Sequence, residues 1–488
     1  MGNVSGKSED SMKSFAKKHA FLLLLAFCLV ILILPLALRQ NLIIPGDSPY
    51  YTLRIAEKIQ NEGLISWDDL SYGGREIAGL PSFPFILSLI NVPVQNMGLS
   101  FTLFNIVLGL LSFVMFYILL KNQEKKIKII ASFLFILSPP FIALFAGYSS
   151  LSIAFFLVLL AILLFIRNSY WSLLPFALLP FFSVTSTFLM IVFLIFYLFT
   201  EKPNVRLITF AIILQSIILF YIYGGIFLRY GLLEKLNFEL TSISTIFLSD
   251  LGGKFGISIF TLFAAIIGIF ELWERKYKSL YLYLFVAIVL VMSFMLNELL
   301  IYLSIFIVFL AAFGFLRLSK QTWKSDFLKK LTITALLCGV LFSGLSYVNQ
   351  IAVSMPNEEI IQTLGSLKEF SSEGDLVLSH FSNGNWISYF ADRPVYMDSN
   401  FRYAPNVNAH YHDANAIFQS RDAEFTREIL DRDSISYIYI TPGMKDGLVW
   451  ESDNQGLLFL FDNSDLFIRH YNIDETEILQ YNKTIEKL

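Results

Sequence analysis

The sequence predicts a polytopic α-helical membrane protein with about eleven transmembrane helices and a polar α/β domain at its C-terminal end. Three observations predict it. Of 488 residues, 56% are hydrophobic and only 15% charged; a soluble globular chain carries roughly a quarter charged residues. Apolar runs long enough for about 30 Å of hydrocarbon recur up to residue 349. From residue 350 onward the composition turns polar, with turn signals throughout.

The same composition excludes a soluble enzyme, a disordered chain and a disulfide scaffold. A net charge of −3 leaves no basic field for nucleic acid. Cys28 and Cys338 both lie inside apolar runs, so they do not reveal a redox compartment.

The spans are expected near 20–38, 101–120, 127–146, 150–166, 170–183, 184–200, 207–224, 255–272, 279–295, 299–316 and 331–347. Pro175 and Pro180 interrupt the pair at 170–200, which leaves the number open by one or two. Charge placement orients them. With the N-terminus in the cytoplasm, the inner segments hold Lys7, Lys13, Lys17 and Lys18, then Lys121, Lys125, Lys126 and Lys128. Arg167, Lys202, Arg206, Arg275, Lys276, Lys278, Arg317, Lys320, Lys324, Lys329 and Lys330 follow on the same side. The outer loops are poorer in cations, as the positive-inside rule expects. An odd span count then places the C-terminal domain outside a cytoplasmic (plasma) membrane. The first run ends at Leu38-Arg39 with no small-x-small site, so it reads as an anchor and not as a cleaved leader. The expected domains are 1–349, transmembrane with outer loops 39–100 and 225–254, and 350–488, outside the membrane.

In the first outer loop, Ser48 is a candidate N-cap, Pro49 suits the first helical position and Gly63 suits a left-handed stop. Leu53, Ala56 and Ile59 recur at helical spacing. Trp67 to Arg75 reads as a turn-rich segment, and Pro81 and Pro84 introduce an apolar helix at 83–95. Asp47 follows the first span at the depth of the membrane interface, where a carboxylate is costly unless paired or used. A plain alternative is that it only favours the positive end of the following helix.

Asp47, then Tyr50-Tyr-Thr-Leu-Arg-Ile-Ala-Glu57, Gly63, Trp67-Asp68 and Gly73-Gly-Arg75 resemble the GT-C superfamily of polyprenyl-linked glycosyltransferases. Within it, the resemblance is to the catalytic subunits of archaeal and bacterial oligosaccharyltransferases. In the tail, Gly384, Trp386 and Ile387 match that family's Trp-Trp-Asp-Tyr-Gly-x-Trp-Ile stretch, and Ala391-Asp-Arg-Pro394 and Asp398 resemble its continuation. His380-Phe-Ser382 stands where its leading triplet reads the acceptor sequon. The family's acidic pair in the next outer loop is replaced by Gly147-Tyr-Ser-Ser150, and no Asp or Glu occurs from Ile127 to Thr200.

The resemblance implies a GT-C-like fold and transfer of a sugar or oligosaccharide from a polyprenyl-phosphate-linked donor to an acceptor at the outer face. Asp47 is the expected base, with Asp250 a candidate second carboxylate. Arg54, Arg75, Arg229 and Lys254 are the cations for the donor phosphate, arginine suiting phosphate by its fork. Gly384, Asn385 and Trp386 form the acceptor-side motif. Glu298, at the outer end of a span, reads as one half of a salt bridge. No cofactor is expected, with Mg or Mn entering only if the chain works as an oligosaccharyltransferase. His410-Tyr-His-Asp413 and Trp67-Asp68-Asp69 are weak metal candidates. The expected partners are the lipid-linked sugar, an unidentified acceptor and membrane lipids.

Three alternatives remain open. One is oligosaccharyltransferase-like protein N-glycosylation. The second is a catalytically silent relative that binds lipid-linked glycan. The third is a transporter, disfavoured because the spans carry almost no ionisable groups.

For the tail, strands are expected at 375–380, 394–398 and 435–440, helices at 385–391 and 421–431, and a closing hairpin over 467–481.

Overall fold

The computed structural model describes residues 4–39, 43–199, 204–230, 247–273, 280–452, 454–473 and 475–483. Lys202, Lys235, Arg275, Lys276, Lys278 and most of the 225–254 loop lie outside them. The chain divides into two compact units that follow packing and not chain order. One gathers Met1–Leu42, Phe101–Ile222 and Leu240–Val353. The other gathers Ile43–Ser100, Tyr223–Glu239 and Ser354–Leu488. The first outer loop therefore packs with the tail, where the sequence grouped it with the spans. The boundary before the tail also moves, because the last long helix runs from Asp326 to Val353.

The first unit is helical, and each of the eleven apolar segments forms helix among its described residues. Among the described residues, five helices are long and apolar enough to cross a membrane; they begin at His19, Met97, Val205, Leu299 and Asp326. Lys125–Ile136 and Pro139–Phe145, bent by 55°, would add a sixth. The expectation of about eleven spans is not carried by these lengths. Ser152–Ile166 and Ile259–Trp273 have 15 residues each, about 22 Å of helix against the roughly 30 Å needed. The bend has a local cause. Pro139 and Pro140 begin the second piece, and the residue before a proline is driven out of the helical region; Ser138 is accordingly extended at φ −68°, ψ 128°.

Small residues let two of these helices approach closely. A Cβ on Gly268 would strike the carbonyl of Leu310, and one on Gly314 that of Ala264, the contact expected where helices associate without a hydrophobic driving force. Phe116, Phe135, Phe141, Phe145 and Phe155 fill the interior, with Phe116 and Phe135 stacked at 4.2 Å.

In the second unit, Ser48–Glu62 is a helix as expected, stopped by Gly63 at φ +86°. Its cap position is taken by Asp47 and not Ser48, and the Asp47 side chain makes no cap hydrogen bond. Leu53, Ile55, Ala56 and Ile59 are buried. Trp67–Asp68 (β1) and Arg75–Glu76 (β2) pair antiparallel, and the apolar helix follows as Ser82–Val94.

The tail builds a four-stranded mixed sheet in the order β3-β4-β6-β5. β3 (Leu376–Leu378) lies parallel to β4 (Ile435–Ile440), while β5 (Phe467–Ile473) and β6 (Thr476–Tyr481) form the closing hairpin. The expected strand at 394–398 reduces to a single bridge between Val395 and Val377. The expected helix at 385–391 is one turn, Gly384–Trp386, widening into a π-type turn over Ile387–Ala391. Helices Glu358–Phe370, Val407–Gln419 and Leu457–Asn463 were not expected. Asn357 caps the first of them through Ile360 N at 2.9 Å. The helix expected at 421–431 spans Ala423–Arg432, capped by Asp422. Trp450, Tyr72, Phe418 and Ile438 meet in the unit's core, so the first loop contributes a ring to the packing of the tail.

Candidate active site

The site forms where two tight pieces of backbone meet inside the second unit. Gly46, at φ +86°, turns the chain into the Ser48–Glu62 helix and donates its N–H to Met355 O at 2.7 Å. That backbone conformation favours glycine. Opposite it, Gly384 packs against the Met397–Asp398 backbone so closely that a Cβ would lie 2.5 Å from Met397 O and 2.6 Å from Asp398 Cβ. The approach delivers the next two residues onto the first loop. Trp386 Nε1 donates to Gly46 O at 3.0 Å.

Asn385 N and Nδ2 donate to the two Asp47 oxygens at 2.9 and 2.6 Å. Ser399 Oγ donates to the second of them at 2.5 Å. Asn400 Nδ2 in turn donates to Asn385 Oδ1 at 3.1 Å, which fixes the direction of the amide. Asp398 holds the same segment, receiving Ser71 Oγ at 2.5 Å and Asn400 N at 2.8 Å.

Asp47 is only partly accessible. Withdrawal of water from its carboxyl pushes the pKa up to about 7; the Ser399 and Asn385 hydrogen bonds work against that rise, and the Asp398 charge adds to it. A carboxyl poised there can take up a proton near neutral pH.

The expected cations separate. Arg75 is buried, donates Nη1 to Asn400 O at 2.7 Å and sits 5.3 Å from the centre of the Tyr72 ring. Among the described residues no carboxylate pairs with it. Arg54 is also buried, but both Nη atoms are engaged by Asp68 at 2.5 and 2.7 Å. A bidentate carboxylate therefore already fills the fork that had been expected to hold a phosphate. Arg229 pairs with Glu76 at 2.7 Å on an exposed surface.

Asp250 and Lys254 belong to the first unit. Asp250 receives Ile259 N at 2.7 Å and Ser343 Oγ at 2.5 Å, so it braces the start of one helix against another. The Lys254 carbonyl accepts from Tyr347 Oη, and its ammonium lies 5.6 Å from the Phe255 ring centre. Asn385 and Trp386 spend their polar atoms on Asp47, Gly46 and their neighbours, where an acceptor-side role had been expected. The sequence did not single out Ser399, Asn400, Ser71 or Gly46 as site residues; Asp398-Ser-Asn400 is a turn whose only local signal is the Asx spacing.

The donor set does not fit a hard divalent cation. Such an ion wants several free oxygens, whereas both Asp47 oxygens and both Asp398 oxygens face N–H or O–H donors. Among the described residues no three His, Cys, Asp or Glu side chains group as metal ligands. Asp68 and Asp69 pair with Arg54 and Lys58. Asp413 pairs with Arg432, and the His410 ring packs against Tyr72 and Tyr396. In the altered triplet, His380 Nδ1 lies 2.8 Å from Ser382 Oγ, and burial pushes the imidazole pKa down to about 4.

No family model matches the sequence, and no curated protein matches it. Solved structures do match in fold. The oligosaccharyltransferase of Archaeoglobus fulgidus in its apo form superposes with a TM-score of 0.64 at 13% identity, covering 88% of this chain and 71% of that one. ArnT from Cupriavidus metallidurans, solved with undecaprenyl phosphate, covers 95% of this chain and 98% of its own, with a TM-score of 0.54 at 10% identity. The mycobacterial arabinofuranosyltransferase AftD covers 95% of this chain and 40% of its own, with a TM-score of 0.54 at 14% identity. These are GT-C glycosyltransferases. The chain is a multi-pass helical membrane protein with their fold at low sequence identity.

Proposed function

We propose that the protein is an inverting glycosyltransferase that moves a sugar from a polyprenyl-phosphate lipid to an acceptor hydroxyl. It would work at the outer face of the cytoplasmic membrane, with the N-terminus inside and the 354–488 segment outside. The observation that carries this reading is the Asp47 carboxylate, poised near neutral pH in a cluster that also holds Arg75. Asn400 links the two, giving its amide to Asn385 and its carbonyl to Arg75. The lipid class is suggested by neighbours of like fold, solved with undecaprenyl phosphate and with dolichol-phosphate.

In the reaction, Asp47 takes the proton of the acceptor hydroxyl as its oxygen attacks the anomeric carbon. The bond from that carbon to the phosphate oxygen breaks, and the electron pair leaves with the polyprenyl phosphate. Arg75 stabilises the anion as it forms, its Nη2 and Nε facing no described partner. Arg54 and Arg229 are left out of this step because Asp68 and Glu76 already hold them. No step runs through a metal ion.

The test is sugar transfer in purified membranes charged with a labelled polyprenyl-phosphate sugar. Wild type is expected to transfer with or without chelator, and Asp47→Asn to lose about 100-fold or more in rate, the scale of a missing general base. Loss with chelator as well would favour the oligosaccharyltransferase-like reading. Folded protein that transfers nothing from any donor offered would favour a silent, glycan-binding relative.

A further inference from the structure

The geometry points to Asn385 as the positioning residue for Asp47, with Ser399 as its second support. The inference rests on the reading of Asp47 as the base. It gives the Gly384-Asn-Trp386 turn a task apart from acceptor contact: that turn sets the direction and the basicity of the carboxylate.

Three donors converge on one side chain. A carboxylate has two oxygens, each with two lone-pair directions. Asn385 occupies one direction on each oxygen, through its backbone N–H and its Nδ2, and Ser399 Oγ takes a second direction on one of them. The carboxylate plane is thereby fixed from both ends. One direction on the oxygen facing Asn385 N remains for an incoming hydroxyl proton.

The turn itself is locked. Gly384 is seated on the Met397–Asp398 backbone, Trp386 is tied to Gly46 O, and the Asn385 amide is held by Asn400. Asn385 is therefore not free to swing towards an acceptor without releasing Asp47. The charged group facing Asp47 from the neighbouring segment is Asp398, whose repulsion the same donors offset. A carboxylate that already accepts three hydrogen bonds also accounts for the poor fit to a divalent cation, since the donors stand where an ion's positive charge would.

The experiment reads Asp47 directly on the full-length protein in detergent, so it does not depend on finding a substrate. A hydrophobic carbodiimide reacts with protonated carboxyls, and labelling at the Asp47 peptide is followed by mass spectrometry across the pH range. The wild-type midpoint is expected near 7. Asn385→Ala removes one donor and is expected to move it up by about one pH unit, since a hydrogen bond to a charged group contributes about 1.5 kcal/mol or more. Ser399→Ala shifts it the same way, and Asn385→Gln returns it part of the way. Melting curves and gel filtration identify any variant that fails to fold, and Ser399→Ala then carries the test.

Where transfer is measured, Asn385→Ala lowers kcat about tenfold and moves the pH profile to the alkaline side. The KM for the lipid donor stays unchanged, the pattern expected when the base alone is perturbed. Folded variants whose labelling midpoint stays at the wild-type value overturn the inference, even if wild type transfers sugar. A shifted midpoint supports it, and if no sugar is then transferred, the failure belongs to the reading of the reaction.

Discussion

Asp47 is made useful by groups that lie far from it in the chain. Its donors sit 338 and 352 residues away. Its raised pKa has a consequence for stability. In the unfolded chain the carboxyl titrates near 3.9, so between about pH 4 and 7 the folded state holds a proton that the unfolded state has lost. The stabilisation from this group is complete below about pH 4 and is lost as pH rises through about 7. Thermal melts of wild type are therefore expected to fall from pH 5 to pH 8, and Asp47→Asn to flatten that part of the dependence. Transfer should run the opposite way, rising as pH climbs through about 7 and the base form fills. The position of Asp47 was legible, because a carboxylate directly after an apolar span is conspicuous. Ser399 was not: nothing in Asp398-Ser-Asn400 distinguishes it from a surface turn. Arg54 and Arg75 looked alike in sequence, and only the neighbouring Asp68 separates a spent guanidinium from one without a carboxylate.

Among the elements, the first outer helix and one tail strand were readable from local signals. Pro49 and Gly63 bracket the first outer helix, and the β-branched and aromatic run at 435–440 marks β4. The expected strand at 394–398 shrank to one bridge because Pro394 has no N–H for a ladder and β3 is only three residues long. Three tail helices escaped notice because packing of a short apolar face, more than propensity, holds them. Two substitutions test how the elements meet. Gly384→Ala must push the Met397–Asp398 segment aside and is expected to cost about 1–3 kcal/mol, read as a lowered melting temperature. Arg54→Met leaves Asp68 buried without its partner and is expected to cost about 3–5 kcal/mol. The double change Arg54→Met with Asp68→Leu should recover much of that loss, since it removes both buried charges together.

For the whole molecule, the main difference from the sequence reading is how the chain is partitioned. A domain from residue 350 onward was the natural inference from composition. The compact unit also takes in 43–100, and Tyr72 is part of the tail's core while Leu70 and Gly73 bond to the Val395 backbone. An isolated 354–488 fragment is therefore expected to be aggregation-prone or poorly folded by circular dichroism. Joining 43–100 to it through a flexible linker is expected to restore a cooperative melt. A well-folded isolated tail would contradict the packing described here. Hydropathy and helical period act over neighbouring residues, so the sequence by itself determined that this is a membrane protein, where its apolar helices fall and which carboxylate follows the first of them. The merging of the first loop with the tail and the three donors on Asp47 depend on contacts between residues hundreds of positions apart. Only the tertiary structure decided those, because no local pattern records which distant backbone closes on a given side chain.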